Sequence, residues 1–341
     1  MKRRARGAIE GIVQGVGFRP FIYQQAGQYG LSGHVGNTDF GVDLEVEGSD
    51  ESVTAFIASV VAAPPPLAVI ASVRWTDIPV KHQHTFEIRQ SESHRERSAL
   101  ISPDVGICED CHGELLDPSD RRYGYPFINC TNCGPRYTII KDIPYDRMAT
   151  TMAPFQMCSE CRKEYEDPSN RRFHAQPNAC WACGPVPSLH DPNGTKMPCD
   201  DPIRETISLL QQGAILAVKG LGGFHLCVDA SNHGAVVRLR RRKHREEKPL
   251  AVMVKDLEMA REIVHVNQTE AELLASRQKP IVLLKKKPRN DLSQQVAPQN
   301  RYLGVMLPYT PLHVLLMEGS FLALVMTSGN VSEEPISRDN Q

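Results

Sequence analysis

An α+β chain of several domains is what this sequence predicts, on three observations. The first ninety or so residues carry apolar patterns that alternate as β-α-β-β-α-β. The middle holds eight of the ten cysteines as four Cys-x-x-Cys pairs, with no long periodic segment to bury a core. From Ile203 onward helical and strand patterns alternate again, as a mixed α/β domain. The expected domains are therefore 1–91, 98–195 and 200–341.

In the first region Ala8 to Val13 reads as a strand, Gly15-Val16-Gly17 as a loop, and Phe18, Phe21, Ile22, Ala26 and Tyr29 as one face of a helix. Strands follow around His34-Val35 and Val42 to Val46. Ser49-Asp50 can cap a second helix whose Val53, Phe56, Ile57, Val60 and Val61 fall at i, i+3, i+4, i+7 and i+8. Pro64-Pro65-Pro66 stops that helix, and Val69 to Trp75 and Phe86 to Arg89 supply closing strands. Ser91 to Arg97 is polar and charged and reads as a linker.

The cysteines form one unit written twice at an offset of 50 residues. Cys108-x2-Cys111 and Cys130-x2-Cys133 recur as Cys158-x2-Cys161 and Cys180-x2-Cys183. Asp117-Pro118-Ser119-Asp120-Arg121-Arg122 recurs as Asp167-Pro168-Ser169-Asn170-Arg171-Arg172. Tetrahedral Zn²⁺ needs two close thiolate pairs brought together by a short fold, and this spacing supplies that twice. The favoured ligand sets are Cys108, Cys111, Cys130, Cys133 and Cys158, Cys161, Cys180, Cys183; spacing alone leaves a crossed arrangement open. Four thiolates fill the tetrahedron, so both zincs are expected to be structural. His112, His174 and His190 read as surface residues, and Cys199 and Cys227 as small apolar side chains.

After a second linker at Pro187 to Pro202, Ile203, Ile207 and Leu210 mark a helix and Ala214 to Val218 a strand. A basic helix near Ala235 to Arg242 and strands at Leu250 to Val254, Ile281 to Leu284 and Leu322 to Met326 follow. The pattern stops at Gln341 without a closing element, so the chain is expected to be part of something longer.

A formal net charge of −1 gives no global field toward nucleic acid or membrane. No apolar run approaches a membrane-spanning length, and Glu10 and Gly11 interrupt any signal-peptide core. A cytoplasmic chain is expected, and paired cysteines there point to metal rather than disulfides.

Two segments carry chemistry. Gly11 to Arg19 is a glycine-bearing loop between a strand and a helix: backbone N–H groups of Gln14, Gly15, Val16, Gly17 and Phe18 can face an anion, and Arg19 can clamp a phosphoryl group. This nine-residue string, with Gly36-Asn37 ahead of an acidic strand, resembles the acylphosphatase signature across most of residues 5–90. The resemblance implies a ferredoxin-like domain in which Arg19 and the loop amides hold phosphate and Asn37 orients the attacking water. Phe40 separates Asp39 from Gly41 where that family often has Asp-Gly, which is expected to shift the hairpin.

Farther on, Lys243-His244-Arg245 ends the basic helix and Ser328-Gly329-Asn330 follows a strand. Apart from any resemblance, that helix reads as a solvated basic face. Together the two segments resemble the Lys-x-Arg and Ser-x-Asn elements of YrdC-type domains, which implies that Lys243, Arg245, Ser328 and Asn330 bind ATP. The strand Val218 to Phe224 departs from the stand-alone YrdC-type synthases, which implies a changed acceptor pocket with Lys219 as a candidate to serve it.

The three-part order resembles the HypF family of carbamoyltransferases of nickel–iron hydrogenase maturation, over the whole chain. Val16 to Phe21, Cys130 to Tyr137, Leu303 to Pro311 and Met326 to Asn330 carry the likeness. It implies hydrolysis of carbamoyl phosphate to carbamate and phosphate, then attack of carbamate on ATP, with Mg²⁺, to give carbamoyl-adenylate and pyrophosphate. Transfer to the C-terminal Cys of the partner HypE would follow. Carbamate decays quickly in water, so an enclosed passage is expected. The competing readings are a zinc-ribbon module binding nucleic acid or protein, supported by Arg121-Arg122 and Arg171-Arg172, and a simple acylphosphatase.

Overall fold

The structure, a computed structural model, describes residues 2–89, 100–245, 247–288, 290–330 and 334–340. The linker expected at 91–97 lies outside the described residues. The chain divides into two compact units, 1–105 with 128–185 and 106–127 with 186–341.

The first unit contains β1 (Lys2–Ile12), α1 (Phe18–Gln28), β2 (Ser32–Asn37), β3 (Gly41–Ser49), α2 (Asp50–Ala62), β4 (Val69–Asp77) and β5 (Phe86–Ile88). Its sheet runs β4-β1-β3-β2-β5, antiparallel except for the β2–β5 edge. β1 begins six residues earlier than the apolar pattern suggests. Its basic start is held by cross-strand ion pairs, Arg3 to Asp77 at 2.9 Å and Arg6 to Asp43 at 3.0 Å, with Arg4 buried against Glu45. The Ser49 hydroxyl accepts from Ser52 N–H and starts α2 as expected. Val53, Phe56 and Val60 bury, whereas Val61, assigned to the same face, is exposed.

The hairpin that carries Phe40 is regular. β2 and β3 pair without a bulge from Ser32↔Glu47 to Asn37↔Val42, and Thr38 N–H closes the turn on Gly41 C=O at 2.9 Å. A side chain at Gly41 would meet the Ile9 carbonyl oxygen at 2.1 Å, so this position admits only glycine.

Each cysteine repeat opens with a short helix directly after its first cysteine, α3 (Glu109–Leu116) and α4 (Ser159–Glu166). The rest of each copy is turns, as its Pro, Asp and Asn content requires.

The second unit continues with α5 (Pro202–Gln211), β6 (Leu216–Lys219), β7 (Phe224–Asp229), α6 (His233–Arg242), β8 (Val252–Met253), α7 (Leu257–Ile263), α8 (Gln268–Ala275), β9 (Val282–Lys285), β10 (Tyr302–Met306), α9 (Pro311–Met317) and β11 (Leu324–Ser328). Its mixed sheet runs β6-β7-β11-β8-β10-β9, with only β8–β10 parallel. The single strand expected over Val218 to Phe224 is instead the turn of a hairpin. Lys219 pairs with Phe224, Gly220 N–H bonds Gly223 C=O at 2.9 Å, and Gly222 takes φ 80°. The glycines read as part of that strand are what reverses the chain.

Candidate active site and metal centres

A small pocket in the first unit collects the loop residues Gln14, Gly15, Gly17, Phe18 and Arg19 together with Asn37. The fold does this by setting the end of β1, the start of α1 and the end of β2 side by side. Gly15 takes φ 71°, and a side chain there would crowd Arg136 Cδ at 3.1 Å and the Tyr145 ring at 3.3 Å. Gly17, at φ 75°, begins α1.

The rest of the lining comes from residues that sequence reasoning missed. Tyr145 N–H donates to Gln14 Oε1 at 2.9 Å, while Gln14 Nε2 donates to Thr38 and Gly41 carbonyls at 2.7 and 2.8 Å. The Tyr145 carbonyl accepts from Arg19 Nη2 and Asn37 Nδ2, each at 3.4 Å, so one backbone oxygen references both candidate catalytic side chains. Arg19 Nη2 also pairs with Asp146 at 2.8 Å. Arg136, 2% exposed, spends its guanidinium on backbone carbonyls of Gly15, Cys130, Thr131, Cys133 and Pro135 and so ties the loop to the first cysteine knuckle. His174, Ala175, Gln176 and Pro177 complete the lining.

His174 is therefore not the surface residue expected. It is half-buried in the pocket, with its ring against Tyr165 at 4.9 Å, and burial together with the Arg19 charge pushes its pKa down to about 4. His112 and His190 are exposed, as read from the sequence. Fifty residues earlier the repeat has Gly124 at φ 66°, and His174 holds the same left-handed backbone at φ 54°.

The eight paired cysteines gather as two sets, Cys108, Cys111, Cys130, Cys133 and Cys158, Cys161, Cys180, Cys183, each with its sulfurs within 4.8 Å of one another. None of the eight is in a disulfide. Sulfur separations of 3.8 Å for Cys130–Cys133, Cys158–Cys180 and Cys180–Cys183, and 3.6 Å for Cys161–Cys183, match the roughly 3.8 Å edge of a tetrahedron with Zn–S bonds of about 2.3 Å. The donor sets therefore fit zinc, in sequential rather than crossed order. Burial raises the Cys158 pKa, but the Cys161 amide and neighbouring thiols outweigh it and bring it to about 7. Cys227 is buried, and its burial pushes the thiol up; Cys199 is half-buried.

In the second unit Lys243 Nζ donates to the Ser328 carbonyl at 2.6 Å and to Asn330 O and Oδ1 at 2.9 and 3.0 Å. Ser328 Oγ bonds Asn330 Oδ1 at 2.7 Å, and Arg245 Nη1 bonds Thr327 Oγ1 at 3.0 Å. Lys243, Arg245, Ser328 and Asn330 thus converge, and among the described residues no carboxylate pairs with either cation. Burial lowers the pKa of both, Lys243 further through Arg245. Two partly desolvated cations whose partners among the described residues are neutral favour an anion. The basic helix is not all solvated face: Arg240 is buried and donates to the Arg245 and Val296 carbonyls at 2.8 and 3.1 Å. Lys219 is exposed, bonded to Asn340 at 2.5 Å and above the Phe224 ring at 5.2 Å. Arg122 and Arg172 are buried, which removes half of each arginine pair from any nucleic-acid surface.

Among the described residues no helix is long and apolar enough to cross a membrane. Family models match along the chain: acylphosphatase at 5–88, HypF finger at 107–140 and 157–190, and the Sua5/YciO/YrdC model described as telomere recombination at 208–341. The carbamoyltransferase HypF of Synechocystis is 49% identical over 333 residues, covering 97% of this chain and 43% of that protein. A crystal structure of full-length HypF in the phosphate- and nucleotide-bound form superposes with a TM-score of 0.94 at 49% identity, covering 100% of this chain and 44% of that one. An acylphosphatase of Thermotoga maritima is 38% identical over 82 residues, 24% of this chain and 90% of that protein. The chain thus spans a little under half the length of the curated carbamoyltransferases it matches. On these matches, the chain belongs to the HypF family and carries at its start a member of the acylphosphatase family.

Proposed function

We propose that this chain performs two coupled steps of carbamoyl activation in the cytoplasm. In the first, carbamoyl phosphate binds with its phosphoryl oxygens on the Gly15 to Arg19 amides and the Arg19 guanidinium. Asn37 orients water for in-line attack on phosphorus; the P–O bond to the carbamoyl group breaks and carbamate leaves with the electron pair. A good leaving group makes positioning and charge neutralisation sufficient without a dedicated base. In the second, a carbamate oxygen attacks the α-phosphorus of ATP, supplied with Mg²⁺, and pyrophosphate departs to give carbamoyl-adenylate. Lys243 and Arg245 neutralise the triphosphate, and Ser328 and Asn330 complete that site. The carbamoyl group would then pass to a cysteine thiolate of HypE.

Residues 1–91, 98–195 and 200–341 are assigned as the acylphosphatase, zinc and nucleotide parts. The two cysteine sets would hold structural Zn²⁺, which cross-links turn-rich chain and leaves no coordination position for substrate.

The observation that carries the reading is the convergence of Arg19, Asn37 and the loop amides in one pocket, with Lys243, Arg245, Ser328 and Asn330 meeting separately. Incubation of the chain with ATP and carbamoyl phosphate should yield pyrophosphate only when both are present. Arg19→Ala and Asn37→Ala should abolish phosphate release, and normal turnover in either would remove the first assignment.

A further inference from the structure

The second cysteine repeat departs from the first where it meets the phosphatase pocket. At the fifty-residue offset, Gly124 and Pro126 become His174 and Gln176. A left-handed histidine in place of glycine costs roughly 1–2 kcal/mol, and such strain persists where the surroundings enforce it. Gln176 is 2% exposed and its orientation is fixed, because Oε1 accepts from Arg147 N–H at 2.8 Å and Tyr165 O–H at 3.1 Å. Its Nε2 therefore faces away from those donors, and that atom is buried with no hydrogen-bond partner. Asn37 Oδ1 and Tyr145 Oη are likewise buried and unpartnered, and all three residues line the same pocket. A buried donor without a partner costs about 1–3 kcal/mol, so three unmet polar atoms around one pocket describe a ligand's complement.

We infer that Gln176 is a catalytic residue of the phosphatase step, its Nε2–H donating to the carboxyl oxygen of the departing acid, with His174 and Tyr145 forming the rest of an acyl-end subsite. This rests on the acylphosphatase reading of the first unit. With the loop amides and Arg19 taking the phosphoryl end, the unpartnered Gln176 Nε2 in the same lining is left for the leaving group. As the P–O bond breaks, negative charge grows on the carboxylate oxygens, and a fixed amide N–H stabilises that charge more than it stabilises the ground state. Burial and the Arg19 charge keep His174 neutral, so it adds no cation that would hold the product acid back.

The test uses the full chain with carbamoyl, acetyl, methoxyacetyl and chloroacetyl phosphate, and inorganic phosphate as inhibitor. Gln176→Leu should lower kcat/KM for carbamoyl phosphate at least tenfold, leave the phosphate inhibition constant within about threefold, and steepen the dependence of kcat/KM on leaving-acid acidity. Gln176→Glu keeps the acceptor for Arg147 and Tyr165 but replaces the donor with a negative charge, so it is read by its leaving-group dependence and not by its phosphate inhibition constant. It should show the same steepened dependence, and it stands in should Gln176→Leu fail to fold by circular dichroism and zinc content. A leaving-group dependence unchanged from the unaltered chain, or equal losses in turnover and phosphate affinity, would overturn the subsite. Absence of phosphate release from the unaltered chain with every acyl phosphate would instead overturn the phosphatase reading, and the subsite with it.

Discussion

Arg136 illustrates how one side chain can hold a candidate phosphate loop in place. Its guanidinium binds backbone carbonyls on both the Gly15 loop and the first cysteine knuckle. Lysine at this position would keep the charge but offer three donors to five carbonyls. Arg136→Lys should therefore destabilise the fold by at least about 2 kcal/mol, as carbonyls lose charged partners. It should also lower kcat/KM for carbamoyl phosphate about tenfold; thermal unfolding and phosphate release check the two effects. Among the described residues Lys243 differs in having only neutral partners, the Ser328 and Asn330 oxygens. Lys243→Ala should weaken ATP binding by well over tenfold, since charge-assisted bonds contribute about 1.5–3 kcal/mol each. An unchanged affinity by calorimetry would return the site to a structural role.

The elements explain where acid sensitivity should arise. Helix α9, capped by Thr310, buries His313 completely, with both ring nitrogens unpartnered beside Tyr309 at 4.5 Å. Burial, helped by His225, pushes its pKa down to about 3. The unfolded chain takes up a proton on this residue below about pH 6.5, whereas the fold resists until about pH 3. Stability is therefore full above pH 6.5 and declines as pH falls toward 3, by up to about 1.4 kcal/mol per pH unit. The imidazole resonances of His313 should report a neutral ring at pH 5, and His313→Phe should flatten the decline in unfolding free energy from pH 6.5 to 5. A ring that titrates above pH 6 would contradict this. The hairpin of β6 and β7 is the other lesson at this level. Gly220 to Gly223 is compatible with a weak strand or a tight turn, and the choice depends on β11 accepting β7 along its length, from Leu324↔Asp229 to Ser328↔His225.

For the molecule as a body, the cysteine clusters stand where a hydrophobic core would otherwise be needed. The apolar cores recorded for residues 1–88 and 203–326 involve the sheets and their helices, whereas the repeats are largely turns. Metal analysis should find two zincs per chain; one or none would count against the ligand sets. Removing zinc with a strong chelator should loosen residues 128–185, detected as new proteolytic cleavage. Phosphate release should be lost at the same time, because Arg136, Tyr145, Asp146 and Gln176 are carried by that segment.

Much of this is legible in the sequence. The periodicity of α1 and α2, the serine cap, the loop from Gln14 to Arg19 and the thiolate sets all depend on residues close in the chain, whose chemistry dictates local geometry. The rest of the pocket lining is not. Tyr145 reaches Gln14 across 131 residues and Asp146 reaches Arg19 across 127, and no local pattern records a contact of that range. Short-range preferences name the secondary elements and the thiolate sets; what lines the pocket beside the phosphate loop, and whether His174 sits in water or in a pocket, follows from how distant segments pack.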